Sequence, residues 1–530
     1  MRHIASLASL FLFTHLCAQS SFTSGGKIKP EQAIMDIRHY TISLTIDIIH
    51  KSIDGYAIID LNLSQPTRVL LFDLLDSFTV QRVFVNGEKV VFNYANNAIR
   101  IDLPSALPAG KTSVKVVYNG SPHVAIRPPW DDGFIWTTDS SGNPWVAITA
   151  EGIGGKLYFP SKDSPSDEPD EGVDLFIAVP KGLVVAGPGL LQSVTTKKNK
   201  SVYHWKTNYT INSYSIVFNV AKYRVVSRTY TTINGNTVPL QFYVLDEHVA
   251  KANHHLDVFE RTIHEQEKYF GEYPWVKEKI AIAETPHLGM EHQTMNAYGN
   301  KFRYTKIGGE DYDWLMHHEF GHEWWGNKMT AKDWADYWIH EGICSFGDAL
   351  YTRELEGEKA YVKYFQRTSF GIKNEKPVVL GKDIDEESAY SDDIYTKGAF
   401  FMHTLCYVLG DSVFFPALKN FITDPKYTYN NLVSTNDVEQ FFSKRAGIDL
   451  RPLFQLYLYT TDKLEVHVQR TGMNKYLLQL NNIDMPLPVD VSTDSGTQRM
   501  TVDKKGLEIK SATLPQIDPD MYYLKKVIFE

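Results

Sequence analysis

Cysteine is nearly absent from this chain, with three residues in 530, one of which, Cys17, lies in an apolar N-terminal stretch. Without that stretch only Cys344 and Cys406 remain, so disulfides do not staple the fold. Both fall in helical patterns, and two readings stay open for them: a pair of buried small apolar side chains, or a single bridge. Positive charge is not in excess either. With 54 Lys and Arg against 63 Asp and Glu, the formal charge is −9, which argues against nucleic acid and anionic membranes as partners. Beyond the N-terminus no run has the length and apolarity of a transmembrane helix. Internal repeats and low-complexity tracts are missing as well, which excludes solenoids and long disordered segments.

The N-terminus itself reads as a leader. Met1-Arg2-His3 is a short basic start, Leu7 to Leu16 is apolar, and Cys17-Ala18-Gln19 offers cleavage after Ala18. The expectation is a signal peptide over 1–18 and an exported protein, periplasmic or secreted.

What is present is an ordinary globular composition, 43% hydrophobic and 13% aromatic, in a chain long enough for about three domains. From about residue 35 to 230 the pattern has period two: Tyr40, Ile42, Leu44, Ile46 and Ile48 alternate with polar residues, and Asn86-Gly87 stands between two apolar runs as a hairpin turn. The segment from Pro160 to Gly172, rich in Pro, Ser and acidic residues, reads as a solvated connection. Near residue 245 the period changes to helical, with Leu256, Phe259, Ile263 and Phe270 on one face and Gly271 as the stop. Helices predominate to about 457; Ala399, Met402, Leu405 and Leu409 mark another, stopped by Gly410. The last seventy residues or so alternate again, with Asp494-Ser495-Gly496 as a turn. The predicted fold is multi-domain α+β: a β domain over 19–230, a mainly helical domain over 231–457 and a small β-sandwich over 458–530.

Chemistry concentrates in the helical region. In His318-Glu319-Phe320-Gly321-His322 the two histidines are four apart, one helical turn, so both imidazoles can face one metal. Glu341 lies on the following predicted helix, Trp334 to Leu350, and completes a His2Glu set. Three protein ligands leave a zinc position open for water, the mark of a catalytic rather than a structural site. Glu319, beside the metal without binding it, is the expected general base of a hydrolase. His317 is four residues from Gly321 rather than from a ligand, and reads as a packing or supporting residue.

Taken together with three further segments, this pattern resembles the aminopeptidase N family of gluzincin zinc metallopeptidases, which also contains a leukotriene epoxide hydrolase. The segments are Leu288-Gly289-Met290-Glu291-His292, similar to the family's Gly-x-Met-Glu-Asn; Tyr395-Thr396-Lys397-Gly398, similar to its Tyr-x-Lys-Gly; and Glu151, twelve residues before Asp163. The resemblance implies a thermolysin-like catalytic domain with one zinc ion on His318, His322 and Glu341. It implies that Glu291 and Glu151 grip the α-ammonium of a peptide, with Gly289 and Met290 beside it, and that Tyr395 donates to the oxyanion. It also implies that Asp348 orients a ligating histidine, and places Asn327 and His340 near the site. Leu288 and His292 depart from the family motif, which leaves the pocket for the first side chain undefined. The resemblance does not extend to the family's helical C-terminal domain, so a more open cleft is expected. The implied function is an aminopeptidase acting on peptides with a free N-terminus. Its rivals are a thermolysin-type endopeptidase, an epoxide hydrolase using Tyr390 and Glu387, and an inactive peptide-binding scaffold.

Overall fold

A computed structural model describes residues 22–165 and 167–530. The predicted leader over 1–18 lies outside the described residues. The predicted class holds: β-sheets at both ends flank a helical region.

The N-terminal part is built on an eight-stranded sheet. Its order is Leu190–Lys197, Lys200–Thr207, Val173–Pro180, Met35–Asp47, Ser52–Leu63, Gly110–Gly120, Phe78–Val85 and Glu88–Val90. Alternation explains the placement of side chains: Tyr40, Ile42, Leu44 and Ile46 are all buried on one face, while the polar residues between them are not. The Asn86-Gly87 turn joins two of these strands, with both residues at positive φ. A second sheet includes Gly133–Thr138 and Pro144–Thr149, and the latter strand ends two residues before Glu151.

The segment 160–172 corrects the sequence expectation, because much of it is buried rather than solvated. Most of its charges are paired within the fold. Lys162 donates to Met35 O at 2.6 Å and pairs with Asp167 at 3.0 Å, and Lys156 pairs with Asp163 at 2.5 Å. Residues 22–26 run along this region as a strap between the two halves of the molecule. Ser24 N donates to Gly152 O at 2.8 Å, Gly26 N donates to Ile384 O at 3.0 Å, and Glu386 N donates to Ser24 O at 3.0 Å. A Cβ on Gly25 would stand 2.2 Å from Trp334 Cδ1, so only glycine fits that crossing.

A five-stranded sheet opens the catalytic region, ordered Tyr223–Thr231, Thr237–Leu245, Ile280–Glu284, Asn296–Tyr298 and Gly289–Met290, with the last strand at the edge. Four helices position the site. Helix α1 (Val249–Phe270) buries Leu256, Phe259, Ile263 and Phe270 as its spacing requires, and ends at Gly271 with φ of 89°. Helix α2 (Trp314–Gly321) starts at Asp313, whose side chain accepts from Met316 N. It ends at His322, after which the chain turns through Trp325. Helix α3 (Trp338–Glu356) carries Glu341 in its first turn, where the helix dipole favours a carboxylate. Helix α4 (Asp392–Leu409) carries Tyr395 and packs on α3 through glycines: a Cβ on Gly342 would lie 2.8 Å from Gly398 Cα.

The C-terminal part comprises a four-stranded sheet, including Leu464–Gly472 and Lys475–Leu480, and a three-stranded sheet, including Leu487–Thr493 and Gly496–Val502. Its apolar residues share one continuous core with the catalytic helices, whereas the N-terminal sheets form another. Cys344 and Cys406 are both buried and unbridged, so the packing reading of the two cysteines is the one realised.

Candidate active site

His318, His322 and Glu341 converge on a triangle. His318 Nε2 is 3.3 Å from Glu341 Oε2, His322 Nε2 is 3.4 Å from the same oxygen, and the two Nε2 atoms are 3.4 Å apart. The outer nitrogens fix the tautomers. His322 Nδ1 lies 2.9 Å from Trp325 O and His318 Nδ1 lies 3.1 Å from Asp348 Oδ2, and both oxygens only accept. Each Nδ1 therefore carries the proton, and two Nε2 lone pairs face each other and a carboxylate. That arrangement calls for a cation. Tetrahedral zinc with bonds of about 2.0–2.1 Å puts neighbouring donor atoms roughly 3.3–3.4 Å apart, so the donor set fits zinc in both chemistry and spacing.

Asp348 does more than the sequence reading assigned to it. Besides His318 it contacts His317 Nδ1 at 2.7 Å, and His317 Nε2 in turn meets Glu265 at 3.1 Å. Burial opposes a charge on His317, but the two carboxylates outweigh it and hold its pKa up at about 9. A chain of Glu265, His317, Asp348 and His318 thus runs from the interior to the triangle, which makes His317 a supporting residue.

Around the triangle stand more carboxylates. Donor atoms of Glu291, Glu319 and His322 all lie within 4.8 Å of one another. Burial, with Glu291 as neighbour, pushes Glu319 up to about 8, and a cation in the triangle acts in the opposite direction. Gly289 makes room for this group: a Cβ there would sit 2.8 Å from Glu319 Oε1. Met290, next along the edge strand, packs inward at 6% exposure. Glu291 is buried with Oε1 unpaired, and its carbonyl is held by Asn327 Nδ2 at 2.8 Å.

Glu151 arrives from the N-terminal part on a loop fastened at successive residues. His292 Nε2 lies 3.3 Å from Ala150 O, Asp132 Oδ2 accepts from Glu151 N at 2.8 Å and from Ile153 N at 2.6 Å, and the strap holds Gly152. Burial and the nearby Glu291 carboxylate raise the pKa of Glu151 well above the ordinary range, and that of Glu291 is also raised. Two mutually repelling carboxylates, one half-buried and one buried, near the triangle form a site short of positive charge. Tyr395 borders the triangle, its ring 6.0 Å from that of His318, and its hydroxyl contacts that of Tyr390.

The structure thus places near one another His318, Glu319, His322, Glu341, Gly289, Met290, Glu291, Glu151 and Tyr395, while Glu387 is exposed. His340 Nε2 accepts from Ala331 N at 2.8 Å, and its ring lines a cavity with Glu151 and Tyr337. Sequence reasoning missed Tyr337, whose hydroxyl donates to Glu151 Oε1 at 2.9 Å, and Asp132, which carries the Glu151 loop. Tyr337 was within reach, since it stands four residues before Glu341 and shares its helical face. Asp132 had no local signal.

Comparison with known proteins agrees with this geometry. Residues 254–457 match the model of the Peptidase family M1 domain. The puromycin-sensitive aminopeptidase of Caenorhabditis elegans is 22% identical over 470 residues, covering 83% of this chain and 48% of that protein. Leukotriene A-4 hydrolase of Xenopus laevis is 23% identical over 478 residues, covering 84% of this chain and 71% of that protein. The chain spans about half the length of several relatives it matches, between 32% and 51% for the first three. A crystal structure of an M1 zinc metallopeptidase from Deinococcus radiodurans, bound to a Tyr-Ser-Ala substrate, superposes with a TM-score of 0.65 at 19% identity, covering 81% of this chain and 95% of that one.

Proposed function

We propose, for a chain whose catalytic region belongs to peptidase family M1, that the protein is a zinc-dependent aminopeptidase removing single residues from the free N-termini of peptides. The observation that carries this reading is the pair of carboxylates, half-buried Glu151 and buried Glu291, near the His318, His322 and Glu341 triangle. An endopeptidase needs the triangle but has no use for that pair.

His318, His322 and Glu341 would hold the zinc. When bound it supplies Lewis acidity, polarising a carbonyl and making water acidic enough to lose a proton near neutral pH. The chain's own groups do the rest. Glu151 and Glu291 bind the α-ammonium through charge-assisted hydrogen bonds, which sets the first peptide bond at the triangle. Glu319 takes the proton from the attacking water as its oxygen bonds to the carbonyl carbon, and returns that proton to the leaving nitrogen as the carbon–nitrogen bond breaks. Tyr395 donates to the developing oxyanion, a contribution of about 3 kcal/mol when such a donor is well placed. The leader expected over 1–18 supports an exported protein, periplasmic or secreted; a mature N-terminus at Gln19, read by mass spectrometry, tests that point.

The functional test uses paired peptides, one with a free and one with an acetylated N-terminus, incubated with the zinc-loaded protein and with Glu291→Ala. Release of single N-terminal residues from the free peptide alone, largely lost in the variant, is the expected result. Cleavage of both peptides at internal bonds would make the protein an endopeptidase and remove the role given to Glu151 and Glu291.

A further inference from the structure

The amine-gripping carboxylates come from different parts of the chain, yet exopeptidase action requires a fixed distance from them to the metal ligands. Tyr337 connects the two. Its hydroxyl donates to Glu151 Oε1 at 2.9 Å, across the junction between the N-terminal and catalytic parts. Its own carbonyl accepts from Glu341 N at 3.2 Å and from His340 N at 2.9 Å, so the same residue begins the turn that bears the third metal ligand. The ring cannot drift. It is 3% exposed, stacked on Trp334 at 4.1 Å between centroids and packed against His340 at 4.3 Å.

Glu151 has other attachments, but they hold its backbone: Asp132 takes its N–H, and neighbouring residues are held by His292 and Ser24. Those bonds place the loop and leave the side-chain torsions of Glu151 free. The Tyr337 phenol acts on the carboxylate itself. With three rotatable bonds and the Glu291 carboxylate nearby, the half-buried Glu151 side chain needs such a donor to keep one orientation.

We propose that Tyr337 is a positioning residue that fixes the distance between the amine-gripping carboxylate of Glu151 and the metal triangle, and thereby the one-residue register of cleavage. The inference rests on the aminopeptidase reading and goes beyond it, because it assigns the register to a residue that touches neither the peptide bond nor the metal.

The test is Tyr337→Phe, which keeps the ring and its packing and removes only the donor. A hydrogen bond to a charged group supports roughly a tenfold effect. The expected result is a KM about tenfold higher for free-amine peptides, with kcat lowered less than about threefold, zinc content unchanged and thermal midpoint within a few degrees of wild type. In a double-mutant cycle, Glu151→Gln with Tyr337→Phe should be no worse than Glu151→Gln alone. A wild-type KM in Tyr337→Phe, or effects of the two substitutions that simply multiply, would overturn the proposal. If the wild-type protein releases no N-terminal residue at all, it is the aminopeptidase reading that falls. Calorimetric binding of a free-amine dipeptide still decides the role of Tyr337 in that case: about tenfold weaker binding in Tyr337→Phe supports it, and equal binding refutes it.

Discussion

The contact between α3 and α4 offers the sharpest test of how backbone packing governs this site. Gly342 follows the metal ligand Glu341 directly, and Gly398 lies three residues after Tyr395. A methyl group added at Gly342 would meet Gly398 Cα at 2.8 Å, and Gly398 C and Ile394 O at 2.9 Å each. Carbon atoms in comfortable contact are about 3.5–4.0 Å apart, so the helices must separate by roughly 0.7 Å or more. The obstacle is main chain, which cannot rotate aside as a side chain could. Alanine gains up to about 1 kcal/mol in helix propensity over glycine, while overpacking costs about 1–3 kcal/mol, and the net loss of stability should be small. Activity should suffer more. Misplacing reacting groups by about 1 Å costs on the order of 100-fold, or about 2.7 kcal/mol in the barrier, because Tyr395 moves relative to Glu341. Steady-state kinetics of Gly342→Ala on a free-amine peptide, alongside zinc content and a thermal midpoint, reads both quantities. A folded, zinc-loaded variant with kcat within about threefold of wild type would refute the reasoning.

Other outcomes follow from the same geometry. Asp348→Asn weakens the acceptor of the His318 Nδ1 proton and should lower zinc affinity about 10–100-fold, measured by competition with a chelator. Burial raises the Asp132 pKa from 3.8 to about 7, so the folded protein holds a proton there that the unfolded chain releases. The cost of ionising it is absent below pH of about 4, grows as pH rises and is complete above about 7. Asp132→Asn keeps an acceptor oxygen for Glu151 N and Ile153 N, and should therefore gain stability relative to wild type between pH of about 5 and 8 in urea denaturation; a constant difference would count against this. Removing zinc with a chelator should lower the thermal midpoint as well as abolish turnover, since a ligand bound only by the folded state stabilises it; an unchanged midpoint would mean that the triangle holds no cation.

Much of this was legible in the sequence because the governing rules are local. Alternation from Tyr40 to Ile46 is enough to bury one face of a strand, and a spacing of four is enough to bring His318 and His322 together. Glu151 and Tyr395 became visible only through resemblance, since their roles depend on contacts with residues far along the chain. The segment 160–172 misled for a related reason: its acidic and polar composition suggests solvent, but Asp163, Asp167 and Asp170 are paired within the fold with Lys156, Lys162 and the distant Arg38. Pairing across distance is not encoded in composition. Asp132 shows the limit of local reading, since its two backbone bonds to the Glu151 loop bridge residues 19 and 21 positions away.

The strap of residues 22–26 also sets an order of events during synthesis. Thr23 bonds Glu386 across 363 positions, so the strap is made early and waits for its partner. His318, His322, Glu341 and Asp348 all leave the ribosome before residue 384 does. The groups that hold the Glu151 loop (Ser24, Asp132 and His292) and the metal ligands are all made before Tyr395 and before the far anchor of the strap at Ile384 and Glu386. The strap therefore closes only when residues 22–26 meet a segment made several hundred residues afterwards, so the tie between the two halves of the molecule waits until most of the chain has been made.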